Sequence, residues 1–318
     1  MSNFFRLAQI AKNIYFLYYG DMSNSIINLK NKTRGADVVI VSAPYEKTAS
    51  SRKGTVHGPK AIIKCLDTKL EFFDRTFKCE PNGFIKTAHK DISDMNKLSP
   101  EKALDKITKE CKKYVDNDQF VFLLGGEHSV SLGLFQALMS KYDPKETTIV
   151  QIDAHCDLRD TDGDYSDHPS RYAHSCVLHR GNELGYKLVQ VGIRTYSIDE
   201  YNYFSNPKNN ITVFEWGNGN KVPTVDQILK SITTKYVYLT IDVDGFDPSH
   251  MPGTGTPVQG GLEWWYGIDL IQKLIGSKNL IGADIVEVSP MRDSVLTEYG
   301  AAQLVYTIIA NKFNSKLE

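Results

Sequence analysis

Short apolar runs alternate with segments of helical spacing along this chain of 318 residues. Val38 to Val41, within the run 36–41, reads as a buried strand. Phe120 to Leu124 reads as another, broken by Gly125-Gly126, and further strands are predicted over 147–153, 187–193, 235–243 and 279–287. Between them lies a loop rich in Ser, Thr and Gly, Lys47 to Gly58, and then Pro59, which suits the first turn of a helix through Leu66. Helical spacing recurs over 101–115, from Ser129 through Leu132, Leu134, Phe135 and Leu138, and over 196–204, 224–233, 264–275 and 296–311. Strands alternating with helices predict an α/β three-layer sandwich, with a mostly parallel sheet covered on both faces. No repeat, low-complexity tract or linker divides the chain. Residues 36–318 therefore read as a single domain behind an N-terminal extension, residues 1–35, itself read as helical.

Composition narrows the partners. Lys and Arg number 37 and Asp and Glu 38, so the net charge of -1 gives no footprint for nucleic acid or an anionic membrane. No apolar run is long enough to span a bilayer, and the N-terminus lacks a secretory apolar region. Arg6 and Lys12 precede the first acid, Asp21, a weak cue for a transit peptide against the plainer helical extension. Cys65, Cys79, Cys111, Cys156 and Cys176 are odd in number and unpatterned, which reads as reduced thiols in a cytoplasmic protein.

The chemistry gathers at strand ends, where parallel sheets place their sites. Asp153-Ala154-His155-Cys156-Asp157 follows one apolar run, and Asp242-Val243-Asp244 follows another. If each cluster continues its strand, alternate residues share a face, so Asp153, His155 and Asp157 align, as do Asp242 and Asp244, with Cys156 turned into the core. Gly125-Gly126-Glu127-His128-Ser129, between strand and helix, adds His128, its glycines allowing a tight turn. Four carboxylates and two imidazoles without a thiolate suit Mn²⁺ better than structural Zn²⁺. Such crowded acids would repel one another unless cations joined them, and the ligand count exceeds what one ion needs. Two ions about 3.5–4 Å apart fit better, and such a pair lowers the pKa of a shared water toward about 7.

The pieces GGEHS (125–129), DAHCD (153–157), DVDGFDPS (242–249) and DIVEVSP (284–290) together resemble the ureohydrolase family, which includes arginase and agmatinase. The resemblance is collinear from about residue 36 to residue 311. It implies an arginase-like sandwich that hydrolyses a guanidinium compound to an amine and urea at a binuclear manganese centre, through a metal-bridging hydroxide. It also implies a homo-oligomer, a trimer or hexamer. By the same resemblance His128 and Asp157 would bind one manganese, His155 and Asp244 the other, and Asp153 and Asp242 would bridge them. Asp157 would also accept the nucleophile's proton and pass it to the leaving amine. Glu287 would receive the substrate guanidinium, and His174 would bind near the reacting carbon and shuttle protons.

Two stretches bear on the substrate. Residues 252–261 and 52–59 look more like agmatinases than arginases, although Ser175 follows His174 where agmatinases often carry glycine. The loop Leu158 to Asp167 is acidic and lacks the Asn/Ser pattern with which arginases meet an α-carboxylate. Such a rim is expected to repel an α-carboxylate and to favour a small cationic guanidinium substrate with a cationic or neutral tail. Agmatine, cleaved to putrescine and urea, is the expected substrate. Arginine or a guanidino acid such as guanidinobutyrate is the alternative within the family, and a silent scaffold or sensor the alternative outside catalysis.

Overall fold

Among the described residues, eight segments pair into one parallel sheet: β1 (Val38–Ala43), β2 (Thr87–Asp91), β3 (Phe120–Gly125), β4 (Thr147–Ile152), β5 (Lys187–Ile193), β6 (Ile211–Glu215), β7 (Tyr236–Asp242) and β8 (Asn279–Val286). This is a computed structural model, which describes residues 32–317 apart from Lys69, Phe72, Asn218 and Asn220. The N-terminal extension expected over residues 1–35 thus lies, but for its last four residues, outside the described residues. Strand order is β2-β1-β3-β8-β7-β4-β5-β6. The four strands that carry the quoted motifs, β3, β8, β7 and β4, are therefore neighbours. Register pairs Leu124 with Ile285, Asp242 with Val286 and Ile152 with Ile241, so their carboxyl ends finish side by side.

Among the described residues, eight α-helices cover the sheet: α1 (Gly58–Thr68), α2 (Pro100–Val115), α3 (Ser131–Leu138), α4 (Val177–Glu183), α5 (Ile198–Ser205), α6 (Val225–Ser231), α7 (Trp264–Ser277) and α8 (Leu296–Lys312). Alternation along β1 shows how two layers form on one sheet: Val38 and Ile40 pack into the core with α1, α6, α7 and α8. Val39 and Val41 enter the opposite core, with α2, α3 and α4. The three-layer arrangement expected from the alternating pattern is the one observed.

Three elements escaped that pattern. β2 and β6 are the two edges of the sheet: β2 is polar in sequence and buried only over its first half, and β6, five residues long, is mostly half-buried. α4 has seven residues, too few to show a period. Three motif-bearing strands also stop one residue earlier than expected, β4 at Ile152, β7 at Asp242 and β8 at Val286, so Asp153, Val243 and Glu287 lie just past their ends.

Candidate metal centre and active site

Close backbone packing, rather than unusual torsion, explains Gly126. A Cβ there would lie 2.0 Å from the carbonyl oxygen of Tyr45. Beyond it, the Glu127 carboxylate accepts from the Ser129 hydroxyl at 2.8 Å and caps the short turn 128–130. That turn buries His128 completely.

The Asp153 and Asp242 clusters do not continue their strands, as alternation required; both bend at once. Asp153 Oδ1 accepts the His155 N–H at 2.6 Å, and Asp242 Oδ1 accepts the Asp244 N–H at 2.9 Å. A short carboxylate that satisfies the backbone two residues on favours a turn over an extended ladder. The two turns then meet. Ala154 N–H donates to Asp244 Oδ1 at 3.1 Å, and a Cβ on Gly245 would lie 2.6 Å from the Asp153 nitrogen. Asp157 (φ 52°) and Glu287 (φ 63°) hold the left-handed region, sparsely occupied by residues with a Cβ. Cys156 is buried, as expected.

These turns bring the six proposed metal ligands together. His128 Nδ1 lies 2.9 Å from Asp157 Oδ2, 3.2 Å from Asp153 Oδ2 and 3.7 Å from Asp242 Oδ2. His155 Nδ1 lies 3.1 Å from Asp244 Oδ2 and 3.6 Å from Asp153 Oδ1. Two sets have their donor atoms within a single ion's reach, His128–Asp153–Asp242 and Asp153–His155–Asp244, with Asp153 in both. His128 Nδ1 makes no hydrogen bond of its own, so a buried nitrogen faces a group of carboxylates. An oxygen-rich donor set around an orphaned imidazole nitrogen fits a divalent cation.

The electrostatics show the same unmet need for positive charge. Burial raises the Asp157 carboxyl to about 7, helped by the charge of Asp153. Burial, with Asp244 and Asp153 nearby, holds Asp242 well above the carboxylate range. Burial opposes charge on both imidazoles. Asp153 and Asp157 around His128, and Asp244 and Asp153 around His155, outweigh it and hold both well above the usual imidazole value.

Glu287 and His174 stand beside this cluster. Glu287 Oε1 accepts the His128 N–H at 2.9 Å and lies 3.8 Å from His174 Nδ1. Burial and the charge of Glu127 raise the Glu287 carboxyl, while burial and the neighbouring imidazoles lower His174 to about 3. His155, Asp157, His174, Asp242 and Glu287 line one cavity of about 450 Å³.

The acidic rim inferred from 158–167 is not on that cavity's wall. From this loop, Arg159 and Tyr165 face the cavity, and three of its four acids are already engaged. Asp164 pairs with Arg159, Asp162 is buried and accepts the Ser170 N–H at 2.5 Å, and Asp160 pairs with Arg180 at 2.7 Å. Asp160 and Asp164, each paired with an arginine, present little net field to a ligand. Other lining residues had gone unnoticed: Tyr196, Thr256 and Glu200, the last carrying a legible signal, since Ser197 and Glu200 form a capping box on α5. Arg194 shows no local signal at all. Its guanidinium donates to the carbonyl oxygens of Asp244 at 2.6 Å and Val258 at 2.7 Å, tying the Asp244 turn to the loop after it.

The model of the arginase family matches residues 36–310. The chain belongs to the arginase family. It is 37% identical to an N(1)-aminopropylagmatine ureohydrolase of Synechocystis sp. over 283 residues, covering 86% of this chain and 88% of that one. It is 30% identical to an agmatinase of Chromobacterium violaceum, covering 94% of this chain and 91% of that one. An agmatine ureohydrolase structure from Thermoplasma volcanium superposes with a TM-score of 0.77 at 26% identity, covering 93% of this chain and 97% of the other. This arginase-family chain is a hydrolase of the agmatinase-like ureohydrolase type. Among its described residues no helix is long and apolar enough to cross a membrane.

Proposed function

We propose that this ureohydrolase cleaves urea from the guanidinium end of a cationic polyamine, N(1)-aminopropylagmatine before agmatine, using two manganese ions. The observation that carries the reading is the pair of His/Asp sets sharing Asp153 at the base of a cavity that also holds Glu287 and His174. His128, Asp153, Asp157 and Asp242 would hold one ion, and Asp153, His155, Asp242 and Asp244 the other. Such ions, when bound, supply positive charge and lower the pKa of a water they share.

The chain's own groups do the rest. Glu287 meets the planar guanidinium with a charge-assisted contact, fixing the position and orientation of its carbon. Asp157, at the edge of the cluster, takes a proton as a water adds to that carbon. His174 faces the same cavity and hands protons onward to the departing amine. The products are urea and the corresponding amine, putrescine from agmatine and a triamine from its aminopropyl derivative.

For the tail, the cavity continues past the reacting groups to Tyr165, Tyr196 and Glu200, a polar and aromatic wall suited to a protonated amine. Arg159 alone favours a carboxylate tail, but Asp164 and Glu200 already answer its charge. Urea release with Mn²⁺ present, compared across N(1)-aminopropylagmatine, agmatine, arginine and guanidinobutyrate, tests the reading. The highest kcat/KM is expected for the first. Preference for either amino or guanidino acid would overturn the cationic-tail assignment, and no turnover of any would overturn the enzymatic one.

A further inference from the structure

Asp284 opens the fourth quoted motif, yet nothing in the chemistry above uses it. It lies on β8, completely buried, between two hydroxyls. Tyr238 OH donates to Asp284 Oδ2 at 2.5 Å, and Thr240 Oγ1 donates to Asp284 Oδ1 at 2.6 Å. Tyr238 and Thr240 are alternate residues of the adjacent strand β7, so the register between two neighbouring strands builds the cradle. On its other side Thr240 Oγ1 lies 2.9 Å from His128 Nε2.

A hydroxyl has one proton to give. Thr240 spends it on Asp284, so toward His128 it can only accept. His128 Nε2 must then carry a hydrogen, and in the neutral ring Nδ1 is left bare. Nδ1 is the nitrogen that lies 2.9–3.7 Å from Asp157, Asp153 and Asp242 and makes no hydrogen bond. We propose that Asp284, acting through Thr240, is a positioning residue that fixes the tautomer and orientation in which His128 offers Nδ1 to a metal ion. Outer contacts of this kind set both the orientation and the basicity of a ligating imidazole. Here the carboxylate acts at one remove, with the threonine as the link. The inference rests on the reading of His128 as a metal ligand.

The test is a calorimetric titration of the metal-depleted full chain with Mn²⁺. Thr240→Val keeps the shape and removes the link. It should weaken one of two binding steps about 10–100-fold and leave the other unchanged. Thr240→Ser should restore wild-type binding. Asp284→Asn should weaken the same step, and it carries the test if the valine variant fails to fold. Tyr238→Phe removes a donor to Asp284 but leaves the link intact, so both steps should stay at wild-type strength. If it weakens binding as much as Thr240→Val, the effect is core packing and the proposal fails. The proposal also fails if folded Thr240→Val and Asp284→Asn keep both steps. His128→Asn separates the two readings: with that step lost, the metal reading stands whatever Thr240 does, and with both steps intact the ligand assignment itself falls.

Discussion

Among the described residues, two places bring a histidine together with carboxylates at a spacing that suits a metal, and they solve the same electrostatic problem in opposite ways. At the ends of β4 and β7 the groups are mostly buried, and no lysine or arginine is paired with the carboxylates of Asp153, Asp157, Asp242 or Asp244 among the described residues. Around α4, Asp160, His179 and Glu183 stand closer to solvent, and Arg171 and Arg180 each pair with both acids. His179 is committed as well, with Nδ1 2.8 Å from the Leu158 carbonyl oxygen. Residue type and spacing do not separate the two groups. The difference lies in who supplies the counter-charge: at α4 the protein does, and at the strand ends only the imidazoles do, at a cost in burial that an ion would remove.

The sharpest way to break this contrast is to remove the carboxylate common to both His/Asp sets. Asp153→Asn should lower the Mn²⁺ content below two per chain and reduce urea release to background, while circular dichroism shows a folded protein. Full activity with two bound ions would show that Asp153 is not shared between them.

Next in size is His174→Asn, which leaves the metal cluster alone. Loss of a proton carrier should lower kcat by about 10²–10⁴ with Mn²⁺ content unchanged. If kcat holds and KM rises instead, His174 binds substrate and moves no proton.

The contrast also has a pH signature. His128 and His155 are held above the ordinary imidazole value against the opposing effect of burial, and burial raises Asp157 to about 7. Groups whose folded pKa is raised stabilise the metal-free chain below their unfolded values, and that stability is lost as pH rises through the folded ones. An ion needs the same nitrogens bare, so Mn²⁺ affinity should rise with pH, by about tenfold per unit for each proton displaced. Thermal midpoints measured across neutral pH should therefore fall with rising pH in the metal-free chain and rise when Mn²⁺ is held at a limiting fixed concentration. Parallel slopes would mean that the imidazoles are not what the metal displaces protons from.

How far could the residues alone have led here? The central strands β3, β4, β7 and β8 are buried runs bounded by polar motifs, and their end-to-end alignment follows from a parallel sheet, so the gathering of His128, Asp153, Asp157, Asp242 and Asp244 was legible. The manner of it was not. Asp157 and Glu287 sit at positive φ, which Asp adopts at few of its positions and Glu rarely, so residue type does not mark the place, and the turns at Asp153 and Asp242 depend on side-chain acceptance of a nearby N–H. The acidic loop misled because charge was read along the chain, whereas Arg171 and Arg180 reach Asp160 across 11 and 20 positions. Thr240 and Asp284 were unreadable for a related reason: they lie 44 residues apart, and only the pairing of β7 with β8 brings them together.

The smallest expected effect is also the one that tests the contrast from its other side. Asp160→Asn removes an acid that two arginines already answer. Its ion pairs are exposed or partly so, and such pairs are worth about 0–1 kcal/mol. Mn²⁺ stoichiometry and kcat should therefore match wild type, with at most a slight fall in thermal midpoint. Should wild-type protein take up a third Mn²⁺ that Asp160→Asn does not, arginine pairing would not exclude a cation. The absence of protein counter-charge would then no longer distinguish the strand-end centre from a surface cluster of the same composition.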